Sequence, residues 1–380
     1  MRIAINTRLL LAGKMDGIGW FTFETVRRIV KEHPEHEFYF FFDRKPADSF
    51  LFTNNIHPVI LHPPARHPVL WYIFLEWSIT HALKKYKIDL FLSPDGWMSL
   101  RTNVPTLTVI HDLNFEHAKD YLRPSHQRYM THYFPKFAIR ATRIATVSEF
   151  SKKDIVTTYA ISPSKIDVVY DGAHSDYRPI ASVDKARIQK EYSEGNPYFI
   201  FIGTISKRKN LTNTLLAFDL FKTTDTRNTK FLVVGSRFWW GEELEQAYTG
   251  MKHKDDVIFI GRAEANVLAQ LLGAAEGLLY VSLFEGFGIP ILEAFHAEIP
   301  VISSDCTSIP EVAGDAAILV NPNNPNEIAS AMTDIQSKPE LAQELVSKGR
   351  VQRDQFSWDR TAHLLWNSLI ETAKSAHLIQ

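Results

Sequence analysis

The stretch Glu285-Gly286-Phe287-Gly288-Ile289-Pro290-Ile291-Leu292-Glu293 decides the fold. An apolar run at residues 278–281 precedes it, so the pattern predicts a buried strand, a glycine-containing turn and a helix that opens near Pro290. Gly286 and Gly288 allow the backbone unusual dihedral angles and a close approach to a ligand. The first amides of the predicted helix are unpaired, so the turn favours an anion.

Glu285 and Glu293 stand at the two ends of this turn. We expect both to face one cleft and to accept hydrogen bonds from hydroxyls on either side of a bound phosphate. Hydroxyls that flank a phosphate describe a nucleotide sugar. The competing interpretation is a strand-turn-helix corner whose glutamates are merely exposed.

The pattern Glu-Gly-Phe-Gly-x-Pro-x-x-Glu resembles the signature of the retaining glycosyltransferases of family four, also called glycosyl transferases group 1. The resemblance covers nearly the whole chain, with motifs in family order from Gly17 to Trp358. It implies the α/β fold named GT-B, in which two Rossmann-like α/β/α domains face a cleft. The predicted domains are residues 1–175 for the acceptor, residues 176–355 for the nucleotide-sugar donor, and residues 356–380 as a helix that crosses back onto the first domain.

Composition bounds the class of protein. The 380 residues, 45% of them hydrophobic, are enough for two domains, and a net charge of -1 argues against nucleic acid as a partner. The single cysteine, Cys306, excludes an internal disulfide and suits a reducing cytosol. Residues 1–5 read as a strand and no apolar run approaches the ~18 residues of a membrane span, so we expect a cytoplasmic protein without a signal peptide.

Two features suggest a membrane surface. Residues 1–175 hold 22 Lys and Arg against 17 Asp and Glu, a charge of +5, and the aromatic run at residues 69–75 follows Arg66. We therefore expect peripheral contact with the inner membrane face. The alternatives are a phosphorylated acceptor or scattered surface charge for the basic half, and an aromatic run that belongs to the core.

In the first half, apolar runs alternate with helical patterns, which predicts a parallel sheet covered by helices, with ligands at the carboxyl ends of the strands. The predicted strands are residues 3–6, 38–42, 89–92, 106–110, 143–147 and 166–170. Gly17 and Gly19 lie between the first strand and the first helix, but Thr22 stands where a dinucleotide fingerprint needs its third glycine. The pair resembles the family loop that brings main-chain amides to the donor diphosphate or the acceptor.

Two further segments of the first half belong to the resemblance. His111 closes a predicted strand, and in the family a histidine at this place contacts the transferred sugar, so the resemblance implies a sugar-contacting role without base chemistry. Ser151 and Asp154 have the spacing of a helix cap. Ser148 is predicted to lie at the edge of a ligand.

In the second half, Gly203 and Thr204 follow a buried apolar strand, and Lys207-Arg208-Lys209 stand just before a predicted helix. Cations at a helix N-terminus oppose the helix dipole unless they share an anion. The competing interpretation is a solvated basic turn. The segment resembles the family's diphosphate loop, which implies that Lys209 neutralises the leaving group with Arg208 as helper, although many relatives have Arg where this chain has Thr204.

Several local predictions accompany this loop. Asn210 is predicted to cap a helix whose apolar face holds Leu211, Leu215, Leu216 and Phe218. Ser308 with Glu311 has capping spacing. Glu298-Ile299 replaces a glycine-containing step usual in the family, so the resemblance implies an altered loop shape with intact chemistry. The aromatic segment at residues 236–241 is predicted to be a surface packing cluster, with a place near the base of the donor as the alternative.

The resemblance implies transfer of a sugar from a GDP- or UDP-sugar to a hydroxyl of a saccharide or lipid-linked saccharide, as in synthesis of a bacterial surface polysaccharide, with mannosyl, rhamnosyl and glucosyl donors open. Lys209, Arg208 and the amides of Phe287 and Gly288 would serve the diphosphate, Glu285 the sugar hydroxyls and Glu293 the ribose. We expect no cofactor and no metal, since no Asp-x-Asp pattern is present. The alternatives are a nucleotide-sugar epimerase or hydrolase on the same fold and a non-catalytic binding subunit.

Overall fold

The computed structural model of the protein describes residues 1–118, 121–236 and 240–379. The chain divides into two compact units, the first made of Met1–Asp171 with Trp358–Gln380 and the second of Gly172–Ser357. These borders lie within four residues of the predicted ones at 175 and 355. The assignment of the acceptor to the first unit and the donor to the second stays a prediction.

The first unit is built on a sheet of seven parallel strands in the order β3-β2-β1-β4-β5-β6-β7. All six strands predicted in this half are present. The additional strand, β3, was not predicted. It contains Pro58, which is tolerated there because β3 is an edge strand paired with β2. The strands are β1 Arg2–Asn6, β2 Glu37–Phe42, β3 Ile56–Ile60, β4 Leu90–Ser93, β5 Thr106–Val109, β6 Arg143–Thr146 and β7 Ile166–Val168.

Helices connect these strands and bury their apolar stripes against the sheet. A π-helical segment, Phe74–Ile79, joins α2 to α3, so residues 68–85 form one continuous helical stretch. Short 3-10 helices lie at Asp48–Phe50 and Pro163–Lys165. The α-helices are α1 Gly17–Glu32, α2 Pro68–Ile73, α3 Thr80–Lys85, α4 Asn114–His117, α5 Pro124–Arg140 and α6 Glu149–Tyr159.

The second unit has six parallel strands in the order β10-β9-β8-β11-β12-β13. Its strands are β8 Tyr198–Ile202, β9 Lys230–Val234, β10 Val257–Gly261, β11 Gly277–Tyr280, β12 Val301–Ser304 and β13 Ile318–Val320. Its helices are α7 Ser182–Tyr192, α8 Leu211–Lys222, α9 Glu242–Gly250, α10 Ala265–Gly273, α11 Ile289–Ala297, α12 Ile309–Ala313, α13 Pro325–Ser337 and α14 Pro339–Arg353, with 3-10 turns at Lys207–Lys209 and Lys254–Asp256.

The last helix, α15 at Trp358–Ser375, belongs to the first unit, as predicted for residues 356–380. Trp358 packs edge-on against Phe21 of α1, and Trp366 stacks on His33 with ring centroids 3.7 Å apart. Asp359 pairs with Arg28. Leu365 and Leu369 are fully buried, so α15 completes the core of a unit that otherwise ends at residue 171.

Several predicted caps are wrong in detail. Asn210 has a left-handed backbone, φ 58°, and its side chain makes no cap but donates to the carbonyls of Val281 and Pro322 at 2.9 and 2.7 Å. The cap of α6 is Ser148, which accepts from the amide of Ser151 at 3.0 Å. Leu216, predicted on an apolar face, is exposed.

Glu298 and Ile299, where an altered loop was predicted, follow α11, and the difference from relatives stays a prediction. Glu298 adopts the left-handed conformation, φ 58°, at the end of α11, which is the conformation that glycine adopts most easily. Its carboxylate pairs with Arg350 at 2.5 Å and Arg353 at 3.6 Å. These ion pairs account for a glutamate in a position that normally favours glycine. The aromatic cluster predicted at residues 236–241 lies mostly at residues 237–239, outside the described residues.

Candidate active site

The predicted donor residues of the second unit meet where its strand order reverses, between β8 and β11. Open parallel sheets bind ligands at the carboxyl ends of the strands at such a point. Gly203 and the turn Lys207–Lys209 follow β8, and the Glu285–Glu293 motif follows β11. The motif forms the predicted strand, turn and helix, with Pro290 in the first turn of α11.

Glu285 holds the two predicted cations of the leaving-group loop. Its Oε1 accepts from Lys209 Nζ at 2.6 Å, and its Oε2 accepts from Arg208 Nη1 at 2.5 Å. Arg208 also donates to the carbonyl of Phe284 at 2.7 Å. One buried carboxylate therefore positions two cations, and the three side chains together carry a net charge of +1.

The protonation state of Glu285 follows from these contacts. Burial by itself would raise the pKa of this carboxyl, but the charges of Arg208 and Lys209 lower it, and the net result is a pKa of about 2. Glu285 is therefore a carboxylate at neutral pH. In this form it acts as a hydrogen-bond acceptor and not as a proton donor.

Lys209 makes a second contact, with the side chain of Tyr280. Its Nζ donates to the hydroxyl of the fully buried Tyr280 at 2.6 Å and lies 4.5 Å from the centre of that ring. Gly203, with φ 149°, lies beside the aliphatic part of the Lys209 side chain. A Cβ at Gly203 would stand 3.4 Å from Lys209 Cε. The ammonium group is thus fixed by a carboxylate, a phenol and an aromatic face.

The glycine turn is tied to the next helix. Gly288 has φ 112°, and a Cβ there would stand 3.0 Å from the side chain of Ile309, so both conformation and space favour glycine. Ser308 does not cap its helix as predicted. Its hydroxyl instead donates to the carbonyls of Glu285 and Phe287 at 2.9 and 3.0 Å, which fixes the turn. Gly286 and Phe287 are buried within it.

Glu293 lies in the second turn of α11, with the hydroxyl of Tyr177 near its carboxyl group. Burial raises the pKa of this carboxyl to about 7, against smaller lowering effects of Tyr177 and Lys209. The two motif glutamates therefore differ in charge behaviour at neutral pH. Glu285 is ionised, whereas Glu293 titrates near neutrality.

His111, predicted to contact sugar, lies in the first unit just after β5. Its Nε2 is 2.8 Å from the carbonyl of Pro94, which can only accept, so this nitrogen carries the proton. Burial lowers the pKa of the ring, which favours the neutral form. The backbone carbonyl of His111 accepts from Ser151 Oγ at 3.1 Å.

Gly17 and Gly19 open α1 in the same unit. The amide of Gly19 donates to Asp16 Oδ1 at 2.9 Å as the helix cap, so this amide is engaged within the chain. A Cβ at Gly19 would stand 3.0 Å from the carbonyl of Leu9, which makes glycine a packing requirement there. A Cβ at Gly17 would meet open space.

The structure joins Lys209, Arg208, Glu285 and the turn into one network in the second unit, with Glu293 a turn further along α11. Thr204 of the same predicted set is exposed. Within the described ranges, no three His, Cys, Asp or Glu side chains are grouped so as to hold a metal ion. The predicted contributions of the remaining residues to ligand binding stay predictions.

Sequence reasoning missed three supporting residues of this network, which are Tyr280, Ser308 in its actual role, and Tyr177. A signal for Tyr280 was present, since it is a phenol at the carboxyl end of an otherwise apolar strand, next to the motif. Tyr177 gave no signal, because its partner Glu293 is more than 100 residues away. Only the fold brings that pair together.

Comparisons with known proteins agree with this geometry. The family model described as "Glycosyltransferase Family 4" matches residues 15–177, and the one described as "Glycosyl transferases group 1" matches residues 182–352. O-antigen chain mannosyltransferase B of Escherichia coli is 26% identical over 359 residues, which cover 91% of this chain and 93% of that protein. O-antigen chain mannosyltransferase RfbU of Salmonella typhimurium is 28% identical over 308 residues, 80% of each.

The fold is shared with solved enzymes. Sucrose-phosphate synthase from Thermosynechococcus elongatus superposes with a TM-score of 0.77 over 99% of both chains, at 18% identity. The two Rossmann-like units, with seven and six parallel strands, match this architecture. The chain belongs to glycosyltransferase family 4, the glycosyl transferases of group 1, and has the GT-B fold.

Proposed function

We propose that this glycosyltransferase moves a mannosyl residue from a GDP- or UDP-linked donor to a saccharide or lipid-linked saccharide, with retention of the anomeric configuration. Two relatives that align over most of this chain are O-antigen chain mannosyltransferases. Their names support mannose as the sugar and a bacterial surface polysaccharide as the product. The base of the donor and the acceptor are part of the proposal.

The observation that carries the proposal is the pair of cations on Glu285. Lys209 and Arg208 lie at the switch point of the second unit, each held within 2.6 Å of a carboxylate oxygen. A departing nucleoside diphosphate develops negative charge, and fixed cations stabilise that charge without reorganising during the reaction. The turn at Gly286–Gly288 and the N-terminus of α11 add a second group suited to an anion.

Within this proposal, Glu285 has two tasks. It holds Lys209 and Arg208 in place before the donor arrives, and as a carboxylate it accepts hydrogen bonds from hydroxyls of the sugar. Its pKa of about 2 excludes a role as the acid that protonates a leaving group at neutral pH. Tyr280 limits the freedom of the Lys209 ammonium, since the lysine donates to both residues.

Metal-independent transfer is also part of the proposal. In many enzymes that cleave nucleoside diphosphates a bound cation neutralises the phosphates. Here Lys209 and Arg208 are placed to supply that positive charge from side chains. Addition of EDTA is therefore expected to leave turnover unchanged, and a turnover that returns only with a divalent cation would overturn this part.

The first test is transfer by the Lys209→Ala variant. Purified protein is incubated with GDP-mannose, or with UDP-sugars in parallel, and a mannose-terminated acceptor, and the product is measured by mass spectrometry. We expect the variant to lose turnover by about 10²–10³-fold, the size of effect seen when one charge-stabilising group is removed from an active site.

The matched control is Lys207→Ala, which removes an exposed lysine from the same turn. Its turnover should stay within a few-fold of wild type. Equal turnover of Lys209→Ala and wild type would show that Lys209 does not serve the leaving group. Consumption of donor at the same rate without acceptor would replace the proposed transfer by hydrolysis or epimerisation.

A further inference from the structure

An apolar surface lies on the helical stretch of residues 68–79 in the first unit. Val69, Tyr72, Ile73 and Trp77, here called the apolar patch, are all exposed, with Val69 at 61% and Trp77 at 56% of their full accessible surface. The opposite face of the stretch is core, since Trp71, Phe74 and Leu75 are buried. The aromatic run at residues 69–75, which was expected either in the core or at a membrane, thus has one buried face and one exposed face.

A row of cations lies beside this patch. The cations Arg128, Lys136 and Arg140 lie on α5 at intervals of four or eight residues, with His132 between the first two; all four side chains are exposed and are here called the basic ridge. Lys136 Nζ donates to His132 Nε2 at 2.6 Å, so the imidazole accepts and the charge of the ridge comes from the other three residues. Residues four apart share one face of a helix. The sequence of α5 contains no acidic residue, so this face carries positive charge throughout its length.

The patch and the ridge are contiguous. The ring of Tyr72 lies 6.2 Å from that of Tyr133 on α5, and Lys136 Nζ lies 5.3 Å from the centre of the Tyr133 ring. On the other side, the guanidinium of Arg101 lies 4.0 Å from the centre of the Trp77 ring. Cations therefore border the apolar patch along two sides.

The acidic side chain nearest in sequence does not offset this charge. Glu76, the only acidic residue in the segment 61–88, points away from the patch and is buried. Its carboxylate accepts from the amide of Leu100 at 3.1 Å and from Ser99 Oγ at 3.3 Å. The exposed surface thus combines aliphatic and aromatic side chains with basic ones.

We propose that the apolar patch and the basic ridge dock this enzyme on a lipid bilayer that carries anionic headgroups. Tyr and Trp side chains suit the boundary between acyl chains and headgroups, since they are apolar with a polar edge. The cations of the ridge match the phosphates of the headgroups. This mode needs no spanning segment, and among the described residues none of the helices combines the length and the apolar content needed to cross a bilayer.

The charge pattern favours a bilayer over a second copy of this chain. A symmetric contact through this surface would bring two basic ridges together, and like charges repel. An anionic bilayer meets both parts of the surface at once. The proposal stands apart from the donor site, because none of its residues belongs to the second unit.

The test uses the whole protein and vesicle flotation. Vesicles of phosphatidylcholine with 30% phosphatidylglycerol are compared with vesicles of phosphatidylcholine alone. We expect wild type to float with the anionic vesicles and to stay unbound with the neutral ones. Val69→Glu/Ile73→Glu should weaken anionic-vesicle binding at least tenfold, whereas the control Val183→Glu/Val351→Glu, at exposed sites of the second unit, should bind like wild type.

A second pair of variants tests the charge. Arg128→Ala/Lys136→Ala should weaken anionic-vesicle binding by about fivefold for each cation removed. Lys190→Ala/Lys252→Ala removes the same charge from exposed positions of the second unit and should change binding little. Transfer to a water-soluble acceptor should be unchanged in all four variants, since none touches the donor network.

Three results would overturn the proposal. The first is wild type that binds neither kind of vesicle, or both equally. The second is equal loss of binding in the patch or ridge variants and in their controls. The third is a wild-type dimer in sedimentation velocity that Val69→Glu/Ile73→Glu converts to a monomer, since this would assign the surface to a second copy.

Discussion

At the scale of single residues, the two motif glutamates show what a sequence pattern predicts and what it leaves open. Their placement on a turn and on the following helix was predicted from spacing, and the structure confirms it. Their different protonation behaviour was not predicted. It depends on the charges of Arg208 and Lys209 for Glu285 and on burial, which Tyr177 only partly offsets, for Glu293, and only the folded chain creates these surroundings.

The raised pKa of Glu293 leads to a prediction about stability. Burial raises the pKa from 4.5 to about 7, so between these pH values the folded state binds a proton that the unfolded state has lost. The free energy of unfolding should therefore fall as pH rises from about 4.5 to about 7 and then level off. Glu293→Gln should remove this slope, with a relative gain of up to ~3 kcal/mol at pH 8.

Urea unfolding at several pH values, followed by tryptophan fluorescence, measures the slope. Glu191→Gln, at an exposed position of the second unit, is the matched control and should follow the wild-type curve. If Glu293→Gln and wild type have parallel pH profiles, Glu293 does not titrate in this range in the folded protein.

At the scale of elements, the strands of both sheets follow from apolar runs and turn residues. The sequence could not reveal which side chain would occupy a cap. Asn210 is of a residue type that caps helices well. Its side chain instead donates to the carbonyls of Val281 and Pro322, which belong to other segments. Strand β3 was not predicted at all. It contains Pro58, and proline in a strand is tolerated at the edge of a sheet.

The loop ends of the second sheet depend on one glycine that the sequence did not single out. Gly235 has φ 157°, and a Cβ there would lie 1.8 Å from the carbonyl oxygen of Gly203. The amide of Gly203 donates to Val234 at 3.0 Å, and that of Gly235 donates to Gly261 at 2.8 Å. These bonds hold the carboxyl ends of β8, β9 and β10 together beside the donor loop.

Gly235→Ala should therefore displace Gly203 and with it the loop that carries Lys209. We expect a loss of about 4 kcal/mol in stability, which corresponds to a decrease in Tm of roughly 10 °C. Gly250→Ala, where a Cβ meets open space at the end of α9, is the control and should stay within ~1 kcal/mol of wild type. Calorimetric melting measures the Tm of both variants. Equal Tm values for Gly235→Ala and wild type would show that the backbone accommodates the added Cβ without loss of stability.

At the scale of the whole molecule, the two units have the same architecture but different connectivity. The second unit is one continuous segment, Gly172–Ser357, whereas the first is made of two segments that are distant in sequence. Both the parallel sheets and the return of the last helix were predicted. The motif order carried that prediction, because the apolar face of a C-terminal helix does not by itself say which unit it joins.

Leu369 gives a test of this connectivity. It is fully buried on α15, so Leu369→Ala should cost about 3 kcal/mol through lost contacts and a cavity. The loss should fall on the first unit, and the affinity of the second unit for GDP or UDP, measured by calorimetry below the melting range, should stay unchanged. Leu378→Ala, at a partly exposed position after α15, is the control. Nucleotide affinity that falls in Leu369→Ala would contradict independent stabilisation of the two units.

The position of α15 also sets an order for biosynthesis. A ribosome delivers α1 and the first sheet early, but the helix that covers α1 is made only after the whole inserted unit. The unit that begins first is therefore finished last. Until then the nascent chain exposes the apolar face that Trp358 will cover, a surface that molecular chaperones bind. A chain that ends just before residue 358 would contain a complete second unit joined to a first unit that cannot close its core.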